Sequence, residues 1–112
     1  MINVKEIINK SIAVSTDDAK KVKAEIIKVI DNNSDIEISF ENINMLISHF
    51  LNVSIGELYT EYKDKWDILD NIKYIGINND DLELLKKRII PSFKVPQTDK
   101  EKYNSIQEDI LK

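Results

Sequence analysis

IEISFENINMLISHFLNVSIGELY, residues 36–59, changes its period halfway along. Ile36, Ile38 and Phe40 alternate with Glu37 and Ser39, which predicts a strand with one buried face. ENIN breaks the pattern and reads as a loop. From about Leu46 to Tyr62 the apolar residues Ile47, Leu51, Ile55 and Leu58 recur at helical spacing, so a helix is expected there. This helix has an oddity: Ser48, Asn52 and Gly56 are all small or short and fall four residues apart. A glycine inside a helix costs about 1 kcal/mol relative to alanine, so something must compensate. The first reading is packing, with the small stripe letting a neighbouring backbone come close. The second is access, with the stripe leaving a shallow groove for a partner.

The flanks repeat the same alternation of elements. INVKEII, residues 2–8, reads as a first strand, and SIAVS, residues 11–15, as a second strand or the run-in to a helix. Ser15 with Asp18 three residues on forms a capping signal. Ala19, Val22, Ile26, Val29 and Ile30 then make an amphipathic stripe. DNNSD stops that helix with turn-forming residues. Beyond the central stretch, DKWDILDN predicts a short helical turn and IKYIGI a strand. NNDD is a second cap cluster, and Leu82, Leu85 and Ile89 are the face of another helix. Pro91 should stop or kink that helix, and Pro96 marks a break. The order implies an α/β domain over 1–96 with helices packed on a mainly parallel or mixed four-stranded sheet. Residues 97–112 are polar, with Tyr103, Ile106 and Ile110 at helical spacing, and read as a C-terminal helix or tail.

The totals exclude several classes of function. The 112 residues suffice for one core, burying about two-thirds of the unfolded surface. Cysteine is absent, which removes disulfides, thiolate catalysis and cysteine-held metals. Twenty acids against sixteen Lys and Arg, with Arg88 the only arginine, argue against nucleic-acid binding. No apolar run approaches the ~20 residues that span a bilayer, and the first residues do not resemble a signal peptide. A cytoplasmic protein without a membrane role is expected.

No catalytic constellation is legible either. His49 is the sole imidazole. Its neighbour Ser48 would point about 100° away on a helix, so the two make no nucleophile–base pair. Asp17/Asp18 and Asp80/Asp81 fall at expected helix starts, where acids cap rather than catalyse. Gly56 and Gly76 stand alone, without a phosphate loop or a dinucleotide fingerprint. No enzyme activity, cofactor or metal is expected.

The central stretch resembles the bacterial STAS-like domain of unknown function. Ser39 and Phe40 match that family's strand end, Ser48, Phe50 and Asn52 its middle motif, and Gly56 with Leu58 its last part. AVSTDDAKKV is similar to its first helix, with Ala19 where a glycine is often found. The resemblance runs from Ile2 to Lys94. It implies a small α/β domain related to the anti-sigma-factor antagonists, in which a serine at a helix start is phosphorylated by a partner ATPase. Ser48 is the matching position. Ile47 stands where those antagonists carry an acidic residue, and the glycine that follows their serine is missing.

The reading is therefore a non-enzymatic regulatory domain that binds a protein, by resemblance a histidine-kinase-like ATPase. Ser48 is the candidate phosphorylation site. Glu41, Asn42, Asn44, Ser48, His49 and Asn52 are the candidate contact residues. The alternative is an accessory or neutralising partner of a neighbouring-gene protein, as in defence or toxin–antitoxin pairs, or a homo-oligomeric interaction module.

Overall fold

Asn3 ends the first strand almost as soon as it begins. In the computed structural model, which describes residues 1–32 and 34–95, only β1 (Ile2–Asn3) is extended where the pattern of residues 2–8 predicted a full strand. The Asn3 side chain accepts the Glu6 N–H at 3.1 Å and caps a short helix, α1 (Val4–Ile8), which ends at Asn9 in the left-handed region with φ 56°. The local hydrogen bond wins over the apolar alternation. After β2 (Ile12–Ala13) comes α2 (Thr16–Asp31), whose N-terminus is capped as its sequence predicts, with Ser15 Oγ accepting the Asp18 N–H at 3.1 Å.

The sheet differs from the expected four strands. β1, β3 (Glu37–Ser39) and β5 (Lys73–Ile75) form one parallel sheet in the order β1-β3-β5, and β2 pairs in parallel with β4 (Met45–Leu46) in a separate two-stranded sheet. Parallel neighbours need crossovers, and α2 together with the helix after β4 supplies them. The division into two sheets follows from the chain path: residues read as loop and helix start, Met45 and Leu46, are drawn out beside Ile12 and Ala13. Ile2, Ile38 and Tyr74 stand in register on one face of the larger sheet. Ile38 is fully buried there and joins Ile26, Ile30, Phe40, Phe50, Leu58 and Leu85 in a single core.

Two helices carry the rest of that core, and each contains a widened π turn. α3 runs over residues 48–61 as Ser48–Leu51, a π turn Asn52–Gly56, and Glu57–Glu61. It is followed by a 3-10 turn, Lys63–Lys65, and by α4 (Trp66–Asp70). α5 runs over residues 79–94 as Asn79–Leu84, a π turn Leu85–Ile89, and Ile90–Lys94. Pro91 therefore does not stop its helix. The π turn just ahead of it takes up the missing N–H and the crowding that a proline ring imposes on the preceding turn. In α3 the π turn adds a residue to one turn and shifts the phase by about 100°. The expected stripe of small residues is broken as a result: Ser48 is exposed, Asn52 is half-buried and Gly56 is buried.

Gly56 nonetheless answers the question that stripe raised. A Cβ at Gly56 would lie 2.5 Å from Phe93 Cε2 and 3.1 Å from Ile89 Cγ2, so the glycine is where α5 seats against α3. Packing, rather than a groove for a partner, is the reason for the glycine. The expected helix or tail at 97–112 lies outside the described residues.

Gly76 is a stricter case. Its φ is +73°, and a Cβ there would meet the Glu41 backbone nitrogen at 2.7 Å and Cα at 2.9 Å. Gly76→Ala should destabilise the fold by about 2–3 kcal/mol, combining left-handed strain with a clash that a side-chain rotation cannot relieve. A urea unfolding curve with its midpoint unchanged would refute that close approach.

Candidate functional site

Ile47 marks where the expected site departs from the observed one. The helix was expected from about Leu46 with Ile47 in its buried stripe. Ile47 instead holds the N-cap position in extended conformation (φ −107°, ψ 157°), and 38% of its surface is exposed. Its N–H donates to the Ala13 carbonyl at 3.3 Å, continuing the pairing of β4 with β2. Isoleucine has no side-chain acceptor, so α3 begins without a capping hydrogen bond, unlike α1, α2 and α5. Ser48 is the first residue of the helix and is exposed, so it does not cap it.

Met45, Ile47 and Ile12 form an apolar strip beside this serine. Met45 and Ile47 are two residues apart in extended chain and so point the same way. Ile12 is the register partner of Met45 in the neighbouring strand. Exposure is 45% for Ile12 and 54% for Met45, so the two apolar side chains stand side by side at the surface. Only the pairing of β2 with β4 brings them together. The one usable signal in the sequence is the apolar run Met45–Leu46–Ile47, whose period also fits a helix start.

His49 joins α3 to α2. Its Nε2 lies 2.8 Å from Thr16 Oγ1, so the two helices start side by side. A second tie lies further along, where Lys23 of α2 is held by Glu57 at 2.9 Å and by Glu61. Burial pushes the Lys23 ammonium towards deprotonation, but the two carboxylates outweigh it and raise its pKa. Asn52, half-buried at the head of the π turn, is not part of the exposed tip.

Glu41, Asn42 and Asn44 gather elsewhere. Glu41 and Asn42 form a turn closed by the Ile43 N–H donating to the Phe40 carbonyl at 3.2 Å, with Asn42 in the left-handed region at φ 64°. Buried Ser39 supports the turn by accepting the Glu41 N–H at 3.3 Å. Asn44 is exposed, and its N–H donates to the Ser11 carbonyl at 2.7 Å. With Gly76, Asn78 and Asp81 it borders a cleft of about 130 Å³ at the carboxyl ends of β3 and β5. This turn precedes β4 and the Ser48 tip follows it, so the six expected contact residues fall into two groups at opposite ends of that strand. Among the described residues, no three His, Asp or Glu side chains gather as metal ligands. None of their helices is long and apolar enough to cross a membrane.

A two-plus-three parallel arrangement under helices, with a serine leading the helix after the central strand, makes a small α/β domain that fits a STAS-like fold. The family described as a STAS-like domain of unknown function (DUF4325) matches residues 18–82, and the chain belongs to that family. No curated protein and no solved structure matches it.

The first turn of α2, which carries Thr16, is anchored by Asp18. This carboxylate is 3% exposed and meets the Lys10 ammonium at 2.8 Å, an ionic contact rather than an aligned hydrogen bond. Lys10 holds the Asp18 carboxyl below the ordinary carboxylate value, against burial, which raises it; Ser15 and Lys21 add to the lowering. A lowered folded-state pKa stabilises above the unfolded carboxylate range, and that stabilisation is lost as pH falls through the folded value. Asp18→Asn should therefore cost about 1–3 kcal/mol at neutral pH, and the gap to the parent should close on acidification. Parallel denaturant titrations across that range test this; a gap independent of pH would show that the ion pair contributes nothing.

Proposed function

We propose that this chain is a non-enzymatic regulatory domain that docks a protein partner through the tip of α3, and that charge placed on Ser48 weakens the docking. The observation that carries this reading is the exposed strip Ile12–Met45–Ile47, contiguous with an exposed serine hydroxyl at a helix start. An apolar strip of this kind gains free energy when a partner covers it. A charge at its rim would have to be desolvated by the same partner and would oppose that gain.

Ser48 is well placed to carry such a charge. A phosphoryl group adds up to about two negative charges with strong acceptor oxygens. The first turn of α3 offers backbone N–H groups that no side chain caps, together with the positive end of the helix dipole. The modified residue would thus be tolerated by its own helix while repelling what docks beside it. Resemblance to the anti-sigma-factor antagonists supports a histidine-kinase-like ATPase as the partner and a cytoplasmic setting. Ile47, standing where those antagonists carry an acid, extends the apolar strip in this chain. The contact surface on this reading is Ser48, His49, Thr16 and the strip, while Glu41, Asn42 and Asn44 form a separate rim.

Incubation with such an ATPase and ATP, followed by mass spectrometry, should place a phosphate on Ser48. Ser48→Asp and Met45→Glu should each weaken the complex about tenfold or more, equivalent to about 1.4 kcal/mol, without lowering the melting temperature. An unmodified serine with unchanged affinity in Ser48→Asp removes the switch. Full binding by Met45→Glu removes the docking surface.

A further inference from the structure

Val95, the last described residue, stands at the lip of an open groove. It is 40% exposed and lines a space of about 480 Å³ between α4, β5 and the C-terminal half of α5. Leu69 and Ile90 are buried in the groove wall, and Pro91 and Val95 are exposed along it. Tyr74 contributes from β5, the edge strand of the three-stranded sheet. The charges beside it are matched across the groove: Lys94 of α5 donates to Asp70 of α4 at 2.9 Å, and its ammonium lies 5.3 Å from the Trp66 ring centroid. What remains along α5 is the apolar edge of Ile90, Pro91 and Val95, which gains free energy when covered.

The sequence that follows carries a stripe of matching length. Tyr103, Ile106 and Ile110 recur at helical spacing within residues 97–112. A helix rises about 10 Å from Tyr103 to Ile110, and the groove follows α5 for about 13 Å from Lys86 to Val95. Pro96 favours a change of chain direction, and residues 97–102 span up to about 20 Å when extended, ample for a return along α5. The strip beside Ser48 lies beyond the groove, about 16 Å along α3 from Tyr59, and reaching it would leave those residues nearly fully extended. A short tether also gives an effective concentration on the order of millimolar, so a contact too weak to form between separate molecules forms within one.

We infer that this groove is the docking site of the chain's own residues 97–112, which fold back as an amphipathic helix and lay Tyr103, Ile106 and Ile110 over Pro91 and Val95. The groove shares no lining residue with the Ser48 surface, so this docking stands apart from the partner reading above. It also covers the flank of an edge strand, a place that folded proteins commonly shield with a helix.

Because the sequence has no cysteine, Ser105→Cys in the full chain takes a single nitroxide label. The label should broaden the NMR resonances of Leu69, Tyr74, Ile90 and the indole of Trp66, the only tryptophan, and leave those of Ile12 and Met45 sharp. When labelled chain is mixed with isotope-enriched unlabelled chain, the broadening should vanish from the enriched molecules, since the contact is made within one chain. Ile106→Asp in the stripe and Val95→Asp at an exposed groove position should each abolish the broadening, with the core resonances of Ile38 and Phe50 unmoved. Sharp groove resonances, broadening at Ile12 and Met45 instead, or broadening that persists in the mixture and so marks a second copy would each overturn the assignment. A pattern unchanged in both variants would overturn it as well.

Discussion

The burial of one irregular turn organises this molecule. Val53, Ser54, Ile55 and Gly56 are consecutive and all buried, which a regular helix with one solvent face does not allow. The π turn makes it achievable, since α2 packs against one side of it and α5 against another. Ser54, polar and fully buried, is satisfied within the helix by donating to the Phe50 carbonyl at 2.7 Å. Gly56 removes the last obstruction by leaving its Cβ position to the Phe93 ring. Once the middle of α3 is gripped from two sides, its first turn has only one direction left, outward past the small sheet.

The two sheets then acquire different roles. The three-stranded sheet is the floor on which the helices rest, with Ile38 at its centre and Tyr74 at its edge. The two-stranded one buries Ala13 and partly buries Leu46, yet leaves Ile12 and Met45 outside. With so short a ladder, backbone pairing does little more than hold the two apolar side chains next to each other. That placement, beside an uncapped helix start, is what distinguishes the Ser48 end from the rest of the surface. The other end of α3 is tied by polar contacts, with Trp66 Nε1 donating to the Tyr59 carbonyl at 2.7 Å and Asp70 holding Tyr59 and Lys94.

Much of this was legible in the residues. Ser15 and Asn78 announce their helices because a short side-chain acceptor three residues ahead of a free N–H acts locally. The strand at Glu37–Ser39 follows from its alternation, and the family resemblance follows from the motif around Ser48. The failures share a cause. The alternation in residues 2–8 predicts a longer β1 than forms, because a cap at Asn3 competes with it, and helical spacing predicts an earlier start for α3 than forms, because Met45 and Leu46 are held in a strand by Ser11 and Ala13. The expected contact residues fall at the two ends of β4, with Glu41, Asn42 and Asn44 before it and Ser48, His49 and Asn52 after it.

Sequence alone determined the class of fold, the strand–helix order apart from α1 and β4, and the presence of a serine at the head of the helix after the central strand. These rest on period and capping, which act over a few residues. Only the tertiary structure decided that Ile47 faces solvent, that Ile12 stands beside Met45 and that Gly56 faces a phenylalanine ring. Each of those depends on which distant segment occupies the space opposite, and that is settled by packing across the whole core rather than by any local pattern.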